Sequence, residues 1–283
     1  MRGFPCEWTI RLCLALWTAA LAAMCLAPLP GWARLGAAVA WVAVGGVASV
    51  RFAWWRPRAP RGCPLFLMLH AVSDDVVDPD CPNNTIRPKE LERLILDLRR
   101  AGYTFHTVGE VLAEPGERRV ALTFDDGFVD NFTTLLPILR RLGAKATCYV
   151  TNRGLTAPER FLTAAQIREM DASGLVEFGG HTAGHTVLTQ VPAEVAKREI
   201  EENRAWLTEV LGRPPTTFAY PCGAFTNETV ALVRGAGYAA ALTMRKGMRP
   251  VAEDPFRIHR QIVPRGCRPW QAYLIATRGR FRA

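Results

Sequence analysis

Val120-Ala121-Leu122-Thr123-Phe124-Asp125-Asp126-Gly127 is the stretch on which the fold turns. Four apolar residues and a Thr make a short strand, and two adjacent carboxylates followed by Gly end it abruptly. Working outward, the same alternation of strand and helix signals repeats. Upstream, Pro64–Leu69 is an apolar run ending in His70, and Pro88–Ala101 reads as an amphipathic helix with Leu91, Leu94, Leu96 and Leu98 among charged residues. Downstream come a helix through Leu135–Leu142, a strand Ala146–Val150, a helix near Ala164–Met170 and an extended Val176–Gly179. Then follow a long charged helix Ala193–Leu211, a strand Thr217–Tyr220, a helix Glu228–Ala236 and a strand Ala239–Thr243. Phe256–Val263 alternates as a final strand, and Trp270–Ala276 is the last helix signal. β/α units of this length predict a parallel sheet, either closed into a barrel or doubly wound.

In such folds chemistry gathers where strands end. Asp125-Asp126-Gly127 by itself reads equally well as a solvated turn, because Asp-Gly is a favoured turn pair. The next extended run ends in Gly179-Gly180-His181-Thr182-Ala183-Gly184-His185. Two His four residues apart can face one cation, with Gly letting the backbone approach closely. Thr182 stands where a His-Glu-x-x-His helix has Glu, so this is not that motif. The third strand leaves through Tyr220-Pro221-Cys222-Gly223, a turn that either only reverses the chain or aims backbone N–H groups at an oxyanion.

Together, Thr123-Phe-Asp-Asp-Gly127, His181-Thr-x-x-His185 and Phe218-x-Tyr-Pro-x-Gly223 resemble the polysaccharide deacetylase (NodB-homology) family, carbohydrate esterase family four. The resemblance runs from about Leu65 to Val263 and implies a distorted (β/α) barrel. The implied chemistry is metal-dependent removal of N-acetyl groups from amino sugars. It assigns Asp126, His181 and His185 to a divalent metal and Asp125 to the general base, with Tyr220, Pro221 and Gly223 shaping the substrate side. Two imidazoles and a carboxylate suit Zn²⁺, with Co²⁺, Ni²⁺ or Fe²⁺ as alternatives.

The general acid is where the chain departs from the commonest pattern. Many relatives carry a Leu-x-His near the C-terminal end of the domain, and the candidate there is His259. Leu67-Met-Leu-His70 resembles instead the rearranged subgroup that deacetylates poly-N-acetylglucosamine. His70 ends a strand, whereas His259 falls within one, which favours His70. Many relatives also have Arg where Ala219 stands, orienting the base. Arg260 matches an Arg of the rearranged subgroup and could substitute, the alternative being an ordinary surface ion pair. His106 lies in no motif, and Cys222 replaces an aromatic residue common in relatives.

The formal net charge of the 283 residues is +9, which invites a nucleic-acid reading until it is located. Residues 1–62 hold seven Arg against one acid, Glu7, and Arg278, Arg280 and Arg282 crowd the C-terminus, leaving residues 63–275 with no net charge. A phosphate-tracking surface would need a clustered basic face, so no nucleic-acid partner is expected. The N-terminal charges border two uncharged apolar runs, at about 12–27 and 35–50, separated by Pro28, Pro30 and Gly31. Each run has 16 residues against the ~20 that cross a hydrocarbon core, and Trp8, Trp32, Trp54 and Trp55 flank them.

The expectation is therefore a transmembrane hairpin with its basic linker over residues 1–62, ahead of a catalytic domain over 63–283. A signal peptide or two buried core helices are the rival readings. The positive-inside bias puts the domain on the cytoplasmic side of the cell membrane, where a single span would put it outside. Five Cys over residues 63–283, none in CxxC spacing, suggest neither a disulfide framework nor a Cys-based zinc site. Three functions remain open at this point. They are a deacetylase of an N-acetylated amino-sugar polymer, a deacylase of a lipid-linked sugar at the cytoplasmic face, and a catalytically silent glycan-binding protein. The third sits badly with the intact Asp125, Asp126, His181 and His185.

Overall fold

The computed structural model describes residues 5–26, 28, 30–52, 62–79 and 81–278. Two helices come first, α1 (Pro5–Leu26) and α2 (Gly31–Phe52), separated by Pro28 and Pro30. They pack as a hairpin: Trp17 stacks on Trp41 at 4.1 Å between centroids, and the Trp41 indole N–H donates to the Trp17 carbonyl at 3.0 Å. Gly45 admits the Trp17 ring, since a Cβ there would lie 2.1 Å from it.

Among the described residues no helix is long and apolar enough to cross a membrane, so the expected transmembrane hairpin is not borne out. The reason is visible in the helices. Glu7 and Arg11 lie inside α1, and Arg34 and Arg51 inside α2, so neither offers an unbroken apolar length of about 20 residues. Trp54, Trp55 and the basic linker over 53–61, like Arg2 and the tail at Arg280 and Arg282, lie outside the described residues.

The rest of the chain begins with β1 (Leu65–Leu69), β2 (Ala71–Val72), β3 (Thr85–Ile86), α3 (Pro88–Arg100), β4 (Thr104–Phe105) and α4 (Val108–Ala113). It continues with β5 (Arg119–Phe124), α5 (Leu136–Leu142), β6 (Ala146–Val150), α6 (Ala164–Ala172), β7 (Val176–Gly180) and α7 (Ala193–Leu211). It ends with β8 (Thr217–Ala219), α8 (Asn227–Gly235), β9 (Ala240–Leu242), β10 (Gln261–Ile262) and α9 (Pro269–Arg278). The main sheet runs β10-β1-β5-β6-β7-β8-β9 with every pairing parallel, and β4 adds to β5. Ile258, just ahead of β10, bridges to Leu242 of β9, so the sheet curls almost shut. That is the distorted barrel rather than the doubly wound alternative.

Period-two alternation sorts the side chains into two layers. Leu65, Leu67 and Leu69 of β1, with Val120, Leu122 and Phe124 of β5, face outward under Leu91, Leu94, Ile95 and Leu98 of α3. Phe66, Ala121, Tyr149, Ala219, Ala240, Leu242 and Ile258 face inward from six different segments. Three inward residues are Ala, which leaves the interior room for two large polar side chains, Tyr149 and Arg260, both fully buried. The N-terminal end of the barrel is plugged by α4, whose Val108 and Gly109 N–H groups donate to Thr147 Oγ1 and Glu177 Oε2, each at 2.8 Å. Only the C-terminal end is left for a site.

One expected element shrinks. Of the final strand expected over Phe256–Val263, only Gln261–Ile262 forms a ladder strand, while Ile258 makes an isolated bridge to Leu242. His259 and Arg260 precede β10, so His259 does not sit mid-strand.

Candidate active site

Three strand exits meet at the C-terminal end of the barrel. β5 passes directly into Asp125, Asp126 and Gly127, β7 into His181–His185, and β8 into Tyr220–Gly223. Among the described residues, four of the five non-Gly residues with positive φ are at these exits: Asp126 at 74°, Thr182 at 63°, His185 at 64° and Cys222 at 55°. Such backbone costs on the order of 1–3 kcal/mol per residue and persists where surrounding bonds over-determine it. Here those bonds can be named.

Asp125, 3% exposed, is gripped by Arg260 through two parallel bonds, Nη1 to Oδ1 and Nη2 to Oδ2, both 2.7 Å. Arg260 is fully buried, donating also to Thr123 Oγ1 at 3.1 Å and from Nε to the Thr243 carbonyl at 3.0 Å. Burial raises the Asp125 carboxyl, but the Arg260 guanidinium, together with His181 and His70, more than offsets it and holds it below the usual carboxylate range. The sequence left Arg260 open between an orienting group and a surface ion pair; its pair with Asp125 is buried and bidentate.

Asp126 faces the other way. Its Oδ1 lies 3.2 Å from His185 Nε2 and 3.6 Å from His181 Nε2, and one donor atom from each of the three residues falls within 4.8 Å of the others. Burial opposes ionisation of Asp126, yet the hydrogen bond and charge of His181, with His70 and His185, keep it well below the usual range. Burial and His181 push His185 down to about 4, so it stays a neutral donor near pH 7. The His181 Nδ1 lies 2.7 Å from the Ala219 carbonyl, which turns Nε2 toward Asp126. One ionised carboxylate with two imidazole nitrogens in this spacing fits a single divalent cation.

His70 follows β1 directly, next to the Leu69 carbonyl that accepts the Asp125 N–H at 3.0 Å. Burial lowers its imidazole, against the pull of Asp125 and Asp126 and with Arg260 and His181 acting in the same direction as burial. His259 looks elsewhere. Burial lowers it too, but the charges acting on it are Arg249, Arg245 and Glu253, and its Nδ1 is buried with no partner among the described residues. His106, hydrogen-bonded to Thr104 Oγ1 at 2.8 Å, is outside the cluster.

The Tyr220–Gly223 turn contributes differently from expectation. Tyr220 is fully buried, its hydroxyl donates to the Phe256 carbonyl at 3.2 Å, and its N–H donates to the Leu242 carbonyl at 3.1 Å. The Gly223 N–H donates to the Tyr220 carbonyl at 2.8 Å, and a Cβ on Gly223 would lie 2.5 Å from Met244. Neither N–H is free for an oxyanion. Tyr220, Pro221 and Gly223 hold the shape of the wall, and Cys222 forms its exposed crest, its thiol raised by burial of part of the side chain and by Asp126 and Cys81.

Several residues that bear on the site carried no motif. Arg153 Nη2 donates to Asp126 Oδ1 at 3.3 Å while its guanidinium lies 4.3 Å over the Phe161 ring. Asn203 of α7 accepts from the His181 N–H at 3.1 Å and donates to the Val150 carbonyl at 3.0 Å. Glu199, one turn earlier, accepts from the Gly184 N–H at 2.8 Å. A signal for Asn203 did exist, a polar residue in the apolar stripe between Ile200 and Leu207; Arg153 had none.

Residues 113–241 match the sequence model of the polysaccharide deacetylase family. The Bacillus subtilis (strain 168) protein YxkH, whose name assigns it to the polysaccharide deacetylases, is 27% identical over 222 residues, covering 76% of each chain. The Streptococcus pyogenes deacetylase PplD, solved in complex with acetate, superposes with a TM-score of 0.67 at 25% identity, over 74% of this chain and 96% of that one. The poly-beta-1,6-N-acetyl-D-glucosamine N-deacetylase of Escherichia coli (strain K12) is 28% identical over 160 residues, 50% of this chain and 24% of that protein.

Proposed function

We propose, on the premise that this chain belongs to the polysaccharide deacetylase family, that it hydrolyses the N-acetyl groups of an amino-sugar glycan of the poly- or oligo-N-acetylglucosamine type. Acetate and a free amine are the products. The observation that carries the reading is the division of labour between two adjacent carboxylates: Asp125 clamped by Arg260, and Asp126 grouped with His181 and His185.

Asp126, His181 and His185 would hold one divalent cation, for which Zn²⁺ is the first choice on donor chemistry. Such a cation supplies Lewis acidity toward the acetamide carbonyl and makes water a better nucleophile at neutral pH. Everything else falls to the chain. Asp125, kept ionised and fixed in orientation by Arg260, takes the proton from the attacking water. His70, at the exit of β1 beside Asp125, delivers a proton to the departing amine nitrogen, without which an amide cannot cleave near neutral pH. The Tyr220-Pro221-Gly223 wall shapes the sugar side.

The test is acetate release from N-acetylglucosamine oligomers. Chelator-treated protein should release none and added Zn²⁺ should restore it; undiminished release after chelation would remove the metal from the account. A lipid-linked N-acylated sugar is the second reading, favoured by the N-terminal hairpin. Among the described residues, eight of the eleven large hydrophobic side chains that stand exposed are on that hairpin, among them Leu12, Leu16, Leu35, Val39, Val42 and Val47. This apolar face supports placement at the cell membrane, and the basic bias of residues 1–62 favours the cytoplasmic side. A reporter fused after Ala283 tests the side, and an outward-facing reporter would return preference to the polymer.

A further inference from the structure

His70 is held by its backbone rather than through a bonded imidazole, and two residues outside every motif do the holding. Asn131, fully buried, donates from Nδ2 to the His70 carbonyl and to Asp130 Oδ1, both at 2.9 Å. The same Asp130 Oδ1 accepts the Val72 N–H at 2.9 Å. Two residues after His70 and His70 itself are thereby tied to one side-chain pair. On the other flank, the Asp125 N–H donates to the Leu69 carbonyl at 3.0 Å. Asn131 has no rotational freedom left: both amide hydrogens are used, and its Oδ1 receives the Cys148 thiol at 3.9 Å. It sits at the start of a π-helical turn, Asn131–Leu135, inserted ahead of α5. Such turns are rare and concentrate at functional sites.

From this we infer that Asp130 and Asn131 are positioning residues for the general acid, locking the β1–β2 link so that the His70 imidazole meets the leaving nitrogen. The inference rests on the reading of His70 as that acid. Its logic is one of rigidity. Residues 125–131 form a single short segment that carries the base, a metal ligand and, six residues after the base, the clamp on the acid. Acid and base are thereby indexed to one piece of backbone on two different strands. A misplacement on the order of 1 Å at a reacting group costs roughly 100-fold in rate. A clamp of two hydrogen bonds on a strand exit, Asn131 to the His70 carbonyl and Val72 to Asp130, opposes such a shift.

A purely structural role would slow every reaction of the enzyme alike; a positioning role would not. Cleavage of an N-acetyl amide needs a proton on the leaving nitrogen, whereas an aryl acetate releases a stable phenolate without one, using only the base and the metal. Turnover of N-acetylglucosamine oligomers and of 4-nitrophenyl acetate is therefore compared for the full chain with Zn²⁺, for Asn131→Ala, Asp130→Ala, Asp130→Asn and His70→Ala. Asn131→Ala and Asp130→Ala should lose about 10- to 100-fold in amide kcat with KM held, while aryl acetate turnover stays within about twofold. Asp130→Asn keeps the acceptor oxygen and should retain amide turnover within about threefold. If Asn131→Ala does not fold, the Asp130→Ala and Asp130→Asn pair decides alone. Loss of both activities together, or of neither, overturns the positioning role. If His70→Ala spares the amide, the acid assignment itself falls and takes this inference with it. If His70→Ala loses it and the clamp variants do not, only the clamp is wrong.

Discussion

Arg260 and Asp125 form a buried, bidentate ion pair at the candidate site. A buried charge that loses its partner is destabilising by about 3–5 kcal/mol, so Arg260→Met should lower unfolding stability at pH 7 by that order. The sign with pH follows from Asp125 being held below its ordinary value. Its contribution is present above the unfolded carboxylate range and is lost as pH falls through the lower, folded value. Denaturant unfolding of parent and variant should thus converge at acid pH, and a gap that persists there contradicts the pairing.

Asp130 runs the opposite way. Burial pushes it up to about 6 from 3.8, despite the hydrogen bonds from Val72 and Asn131. Its contribution to stability is complete below the unfolded value and is lost as pH rises through about 6, a difference of about 3 kcal/mol. Asp130→Asn, which cannot ionise, should therefore be at least as stable as the parent at pH 7.5 and lose that advantage by pH 4. A pH-independent difference between the two would mean that Asp130 does not titrate as its burial implies.

Among elements, α7 has the most to answer for, because it supports the metal-side loop from behind. Asn203→Ala removes the acceptor for the His181 N–H and the donor to Val150 and Asn152, and should weaken Zn²⁺ binding about 10- to 100-fold in a chelator competition. Unchanged affinity would make Asn203 a packing residue only. The strand exits were legible in the sequence because chemistry-bearing residues interrupt apolar runs: Asp125-Asp126 after Phe124, His181 after Gly180. The two-residue strands β2, β3 and β4 were not, since two residues carry no period, and the π-helical turn at Asn131 leaves no pattern at all. Phe256–Val263 misled for a physical reason. Its alternation is real, but Ile258 pairs to β9 and Gln261 to β1, and the chain must turn between them to send Arg260 into the barrel. Ala219 shows the complement: the small residue on β8 was legible as a departure from relatives, and its consequence, interior room for an Arg arriving from another strand, needed the fold.

For the whole molecule, charge and hydrophobicity divide between the hairpin and the barrel. The barrel region over residues 63–275 is electrically balanced; six of the nine excess charges fall in residues 1–62, with the hairpin helices, and three in the C-terminal tail. Expecting those helices to span a membrane over-read their composition, because charged residues within each cut the apolar length short. Lying against a lipid surface asks less of them. In the full chain, Leu35→Asp combined with Val42→Asp should abolish co-sedimentation with anionic vesicles while leaving acetate release from soluble oligomers within about twofold. Retained co-sedimentation would detach the hairpin from any membrane role.

The proposed division of labour gives two neighbouring carboxylates different work, Asp126 on the metal and Asp125 on the proton. Acetate release from N-acetylglucosamine oligomers by parent and Asp125→Asn, both loaded with Zn²⁺ and both shown to bind it, tests this most directly. Equal metal binding and a loss of about 100-fold or more in kcat are expected for the variant. Release by Asp125→Asn at the parent rate would contradict this division.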